Sequence, residues 1–110
     1  MKIDFNNIEE QVLPAFKGGQ KEFRARMFTD SLNKIMKGRL VPGSSIGMHT
    51  HEGNSEIMFI TRGSGYVIYD GEKIALQAGD VHYCPEGHSH SLINDSEDIL
   101  EFSAVVPQQK

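Results

Sequence analysis

From Lys21 onward, apolar and polar positions alternate along the chain with a period of two. In the segment KEFRARMF, Phe23, Ala25 and Met27 fall on one face, and Glu22, Arg24 and Arg26 fall on the other. Residues 34–41 read as a further strand, ended by Pro42 and Gly43. The short segments IGMHTH, EIMFITR, GYVIYD, KIALQA, VHYC, HSLIN and ILEFSAVV follow. Between them stand the turn signals Gly53-Asn54, Gly63-Ser64-Gly65, Asp70-Gly71, Gly79-Asp80, Pro85-Glu86-Gly87 and Asn94-Asp95. Asp70-Gly71 is the strongest hairpin signal and predicts a type I′ turn. Connections this short favour antiparallel neighbours, because a parallel crossover needs a dozen or more residues. The pattern predicts an all-β sandwich or closed barrel. The absence of βαβ alternation argues against a dinucleotide-binding fold.

The opening stretch breaks this rhythm. Asn6 with Glu9 could form a capping box ahead of Val12 and Leu13, stopped by Pro14 and Gly18-Gly19, which predicts either a short helix or an irregular arm over residues 1–20. Pro107 and the polar tail QQK are expected to fray. A length of 110 residues predicts one domain with one core. The apolar fraction of 38% is enough for a compact fold.

Charge and cysteine content narrow the partners. There are 11 Lys and Arg against 15 Asp and Glu, a net charge of -4, and no basic cluster, so neither nucleic acid nor an anionic membrane surface is expected as a partner. No apolar run reaches membrane-spanning length, and the N-terminus lacks a secretory core, so a cytoplasmic location is expected. Cys84 is the single cysteine. It excludes an internal disulfide and reads as a buried structural thiol.

The histidines carry the chemistry. Four of the five, His49, His51, His88 and His90, form two His-X-His pairs. Residues two apart on a strand point to the same side, so His49 and His51 can converge. Glu56 opens the next strand, beyond the turn EGNS, with Met58 and Ile60 on its face. A carboxylate aimed into an apolar interior costs several kcal/mol unless it is paired or coordinated. A divalent ion resolves that cost and takes a lone pair from each imidazole. Three nitrogens and one carboxylate suit Mn, Fe, Ni, Co or Zn rather than Ca or Mg. Parity leaves open which of His88 and His90 completes the set.

These motifs resemble those of the cupins, a superfamily of small barrels. The stretch GSSIGMHTHEGNSEIMFITRG matches the first cupin motif at Gly43, His49, His51, Glu56 and Gly63, and GDVHYCPEGHSHSLIN matches the second at Gly79, Pro85, Gly87, His90 and Asn94. The likeness covers residues 34–106, which would form the barrel core of a single domain spanning residues 1–110. It implies an antiparallel double-stranded β-helix, or jelly-roll barrel, of the small bacterial type. It also implies one divalent metal on His49, His51, Glu56 and His90, with the metal drawn from Mn, Fe, Ni or Zn.

The remaining residues receive plainer readings. Asn94 is read as a turn or capping residue, His88 as a residue of the barrel rim and His82 as a solvated strand histidine. Met58 and Phe102 are candidates for both core and cavity wall, and Leu100 and Ala104 for core. Arg24, Arg26, Arg39, Tyr66, Tyr69 and Tyr83 are the available donors for a substrate, with Arg24 and Arg26 assigned to a solvated face. No general acid or base can be assigned, and Cys84 has no visible partner for nucleophilic chemistry. The resemblance implies a metal-dependent enzyme of dioxygenase, decarboxylase or isomerase type, acting on a small carboxylate, hydroxy-keto or sugar-like molecule. The alternative is a sensor or binding domain using the same metal pocket without turnover. Residues 23–28, apolar on one side, are read as an edge strand seeking cover, which points to a homodimer.

Overall fold

The computed structural model describes residues 1–109, which form ten strands. These are β1 (Gln11–Pro14), β2 (Glu22–Thr29), β3 (Asn33–Leu40), β4 (His49–Thr50), β5 (Glu56–Arg62), β6 (Ser64–Tyr69), β7 (Glu72–Gln77), β8 (Val81–Cys84), β9 (Ser89–Ile93) and β10 (Leu100–Pro107). They build a six-stranded sheet in the order β1-β2-β3-β10-β5-β8 and a four-stranded sheet in the order β4-β9-β6-β7. Every pairing is antiparallel. This is the expected jelly roll.

Strand parity sets the core as the alternation predicts. Phe23, Ala25, Met36, Leu40, Met58, Ile60, Leu92, Leu100, Phe102 and Ala104 are all buried. Phe23 and Phe102 stack with ring centroids 5.7 Å apart. Gly38, paired with Ala25 on one side and Phe102 on the other, lies beneath both rings. A Cβ there would sit 2.6 Å from Phe23 and 2.8 Å from Phe102, so the absence of a side chain is what admits the two rings. Asp70 and Gly71 have φ of 48° and 85°, and they close the β6–β7 hairpin as a type I′ turn should.

The N-terminal stretch departs from the helical expectation. Phe5–Asn7 is a single 3₁₀ turn, capped by Asp4 rather than Asn6: the Asn6 N–H donates to Asp4 Oδ1 at 3.1 Å. Residues 11–14 then pair with β2. Pro14 cannot continue a helix, and the exposed edge of β2 offers Val12 and Leu13 backbone partners that a short helix would lack. The arm is strapped down by two arginines of the neighbouring strands. Arg26 donates to the carbonyls of Phe5 and Ile8, and Arg39 grips Glu10 through two bonds of 2.8 and 2.9 Å. The Arg39 hydrogen bond, working against partial burial, holds the Glu10 carboxyl below its usual range.

Residues 23–28 do not offer the uncovered edge expected of a dimer surface. The apolar side of β2 faces the barrel interior, and β1 already covers its edge. The apolar surface lies elsewhere. Phe59, Val81 and Tyr83 are each about half exposed, with Phe59 opposite Val81 and Ile57 opposite Tyr83 in the β5–β8 register.

Candidate metal centre

The two sheets bring the predicted set together. His49 on β4 stands directly opposite His90 on β9. His51 follows β4 and is fixed through its backbone, its N–H donating to His88 O and its carbonyl accepting from Gly87 N–H. Glu56 begins β5, in the facing sheet. Their four ligand atoms all lie within 4.8 Å of one another. His51 Nε2 is 2.9 Å from His90 Nε2 and 3.2 Å from Glu56 Oε1. His90 Nε2 is 3.1 Å from His49 Nε2 and 3.0 Å from Glu56 Oε1. His51, Glu56 and His90 are buried.

The opposite edges of the rings define their tautomers. His49 Nδ1–H donates to the carbonyl of Gly47 at 2.8 Å, and His51 Nδ1–H donates to Asn54 Oδ1 at 2.6 Å. In neutral rings so engaged, each Nε2 carries a lone pair directed at the cluster. Burial disfavours a charge on His49 and lowers its pKa. The Glu56 contact acts the other way on His51 and raises its pKa, while the nearby Lys17 ammonium opposes that rise. Burial would push the Glu56 carboxyl up, but hydrogen bonds from His51 and His90, made when those rings also carry a proton on Nε2, prevail and hold it at about 2. With the imidazoles neutral, the site is a buried carboxylate and several nitrogen lone pairs crowded at about 3 Å, an arrangement that is repulsive unless a proton or a metal cation lies among them. Metal–nitrogen bonds of about 2.1 Å place adjacent octahedral ligands about 3.0 Å apart and tetrahedral ones about 3.4 Å apart. The observed spacings of 2.9–3.2 Å suit ligands gathered about one divalent ion.

The structure buries His82, whose strand alternation predicts a solvated position. It is 6% exposed on β8, with Nε2 3.0 Å from His90 Nδ1. Burial, reinforced by the proximity of His90, lowers its pKa to about 4, so it is neutral at pH 7 and its Nε2 can accept the His90 proton. A signal for this was present in the sequence. His82 shares the strand face of Cys84, which reads as buried. Cys84 is indeed fully buried, and desolvation, with the charges of Glu56 and Asp70, raises its thiol to about 11.

Other predicted residues fall into place around the centre. His88 sits at the rim, its Nδ1–H donating to Asp70. Asn94, wholly buried, donates to the carbonyls of Leu40 and Asp98 and accepts from Ser96, which makes it the cap of the β9–β10 loop.

A cavity of about 280 Å³ opens onto His49, His51 and Glu56. Its wall differs from the expected one. Met58 and Phe102 are core, and none of the anticipated arginines or tyrosines lines the cavity. The wall is instead built by Phe16, Lys17, Met27, Lys34, Met36 and Val106, with Glu52 at the mouth. Arg24 pairs with Glu22 on the surface, while Arg26 and Arg39 hold the arm.

This ligand geometry inside a jelly roll agrees with what the chain resembles. A family model described as a cupin domain matches residues 36–106. The chain belongs to the cupin domain family. It is similar to an oxalate-binding protein of Thermotoga maritima, 44% identical over 68 residues, a match spanning 62% of this chain and 56% of that protein. It also resembles the crystal structure of a predicted oxalate decarboxylase from Thermotoga maritima, at 30% identity and a TM-score of 0.92 over 99% of this chain and 100% of the other. A sugar phosphate isomerase of the cupin superfamily from Silicibacter pomeroyi shares the fold, with a TM-score of 0.81 and 19% identity over 99% of this cupin and 76% of that chain. No helix among the described residues is long and apolar enough to cross a membrane.

Proposed function

We propose that this cupin holds one divalent transition metal on His49, His51, Glu56 and His90 and uses it on a small carboxylate, with oxalate the first candidate. The observation that carries the reading is the convergence of the four ligand atoms, with the His49 and His51 Nδ1 protons already engaged. Mn, Fe, Ni and Zn all accept this set of three imidazoles and one carboxylate. An ion held by these four residues would supply Lewis acidity to the substrate. The chain's own residues exclude water with Phe16, Met27 and Met36, keep Glu56 ionised and orient His90 through His82. The similarity to proteins described as oxalate-binding and as a predicted oxalate decarboxylase supports the substrate class.

Two outcomes separate catalysis from binding. Metal-loaded protein incubated with oxalate is expected to release formate and carbon dioxide, the carbon–carbon bond breaking and one proton being taken up by the formate carbon. Stoichiometric oxalate binding without product would assign the chain to the second reading, a non-catalytic binding domain. That reading is favoured by the shortage of acid–base groups: apart from the ligands, Lys17, Lys34 and Glu52 are the ionisable residues on the cavity wall.

His82 acts as a positioning residue for His90. Replacing it with alanine removes the acceptor for the His90 Nδ1 proton, and metal affinity is expected to fall about 10- to 100-fold. His82→Gln, which keeps an acceptor, should recover part of the loss. Competition with a fluorescent metal chelator measures both, and equal affinity in the alanine variant would refute the role.

The outer face carrying Phe59, Val81 and Tyr83 supports a homodimer formed through β8, which is a free edge of the six-stranded sheet. Sedimentation velocity should give a dimer for the native chain and a monomer for the double variant Val81→Glu, Tyr83→Glu. A native monomer at tens of micromolar would rule the dimer out.

A further inference from the structure

The segment ahead of β2 holds three non-glycine residues in the left-handed region, Ala15 (φ 49°), Lys17 (φ 56°) and Lys21 (φ 55°). Each conformation costs energy and persists only where the surroundings over-determine it. Here they do. Ala15 N–H donates to Lys21 O at 2.7 Å and Gly18 N–H to Ala15 O at 2.8 Å, which closes the segment on itself. Gly47 N–H donates to Phe16 O, Ser45 N–H to Gln20 O, and Gln20 N–H to Ser45 Oγ, which pins the segment to the stretch leading into His49. Phe16 packs against Phe23 with centroids 5.3 Å apart. The strain is therefore stored in a segment whose own Lys17 lines the cavity that opens onto His49 and His51.

The charges on that wall form a consistent set. Lys17 comes from the N-terminal segment and Lys34 from the start of β3, and neither is in an ion pair among the described residues. Glu52 and Glu56 are the carboxylates lining the same cavity. With neutral histidines and a divalent ion, two positive charges remain in excess. That is the complement of a small dianion.

We propose that Phe16 and Lys17 form, with Lys34, the specificity wall of the metal cavity, and that Lys17 and Lys34 select small dicarboxylate dianions by pairing with the carboxylate remote from the ion. This rests on the metal-centre reading above and adds to it the residues that choose the substrate. The left-handed backbone at Lys17 sets this residue on the cavity wall.

The test uses Mn-loaded full-length protein, with oxalate as the probe in isothermal titration and metal content measured in parallel. Lys17→Gln and Lys34→Gln are each expected to weaken oxalate binding about tenfold, the loss of one charge-assisted contact at a partly solvated site. Lys17→Arg should bind within about threefold of the native protein, and metal content should stay at the native level in all three. Restoration by arginine separates a charge role from a merely structural one. If both glutamine variants keep metal and bind oxalate as tightly as the native chain, this inference fails alone. If the native chain takes up metal but not oxalate, the dianion assignment fails and the metal centre stands. If the native chain takes up no metal, both fall.

Discussion

Replacing His51 with alanine is expected to abolish metal binding, lowering the metal content of purified protein from about one ion per chain to near zero. His51 is central to the cluster, with Nε2 2.9 Å from His90 Nε2 and 3.2 Å from Glu56 Oε1. Losing it removes one of four ligands and also a hydrogen-bond partner of a 5% exposed carboxylate. Loss of a partner outside the ligand shell already costs about 10- to 100-fold, so loss of a ligand should exceed that range. Stability gives an independent reading. Metal at about 100 times its Kd stabilises a folded protein by about 2.7 kcal/mol. At about 4 °C or more per kcal/mol in a domain of this size, the native protein should melt about 10 °C higher with metal, and His51→Ala should not respond. Elemental analysis and thermal melts with and without Mn check both halves. A variant that retained a full equivalent of metal would show that the ion lies elsewhere.

The second large effect is structural and concerns Gly47. A Cβ at this position would lie 1.9 Å from Lys17 O and 2.8 Å from Gly19 N, both backbone atoms that cannot rotate away. Gly19 faces the same restriction from the other side, with its Cβ meeting Ser45 O at 2.1 Å. The two glycines let the N-terminal segment lie directly on the strand connection that ends at His49. Gly47→Ala must therefore push the segments apart and break the Gly47 N–H to Phe16 O bond. The expected loss is about 3 kcal/mol, at the upper end for overpacking, read as a drop in the urea midpoint at unchanged slope. Because the Gly47 carbonyl also orients His49 through Nδ1, metal affinity should fall along with stability. A variant within 0.5 kcal/mol of native, an allowance about the size of a neutral surface change, would mean the segment is not seated there.

Much of the barrel was legible because period-two alternation encodes which face of a strand is buried. Phe23, Ala25, Met58, Ile60, Leu100 and Phe102 all follow it. The Asp70-Gly71 turn was legible because few residues adopt positive φ at two successive positions. The burial of His82 runs against its sequence pattern for a physical reason. Strand β8 exposes Val81 and Tyr83, each 55% accessible, and buries His82 and Cys84, inverting the usual relation between polarity and burial. That inversion follows when the outer face of a strand is itself apolar and the inner face serves a polar centre.

By itself the sequence determined an antiparallel all-β architecture, the positions of its main turns, and a candidate ligand set of His49, His51 and Glu56 with either His88 or His90, of which the cupin resemblance singled out His90. Each of these depends on local spacing, which a strand's two-residue repeat converts directly into direction. Tertiary structure alone decided that His82 supports His90, that Arg26 and Arg39 tie down the N-terminal arm, and that Lys17 and Lys34 rather than any arginine face the cavity. Those relations join residues far apart in the chain, through glycine-to-backbone contacts and strand pairings whose partners no local pattern names.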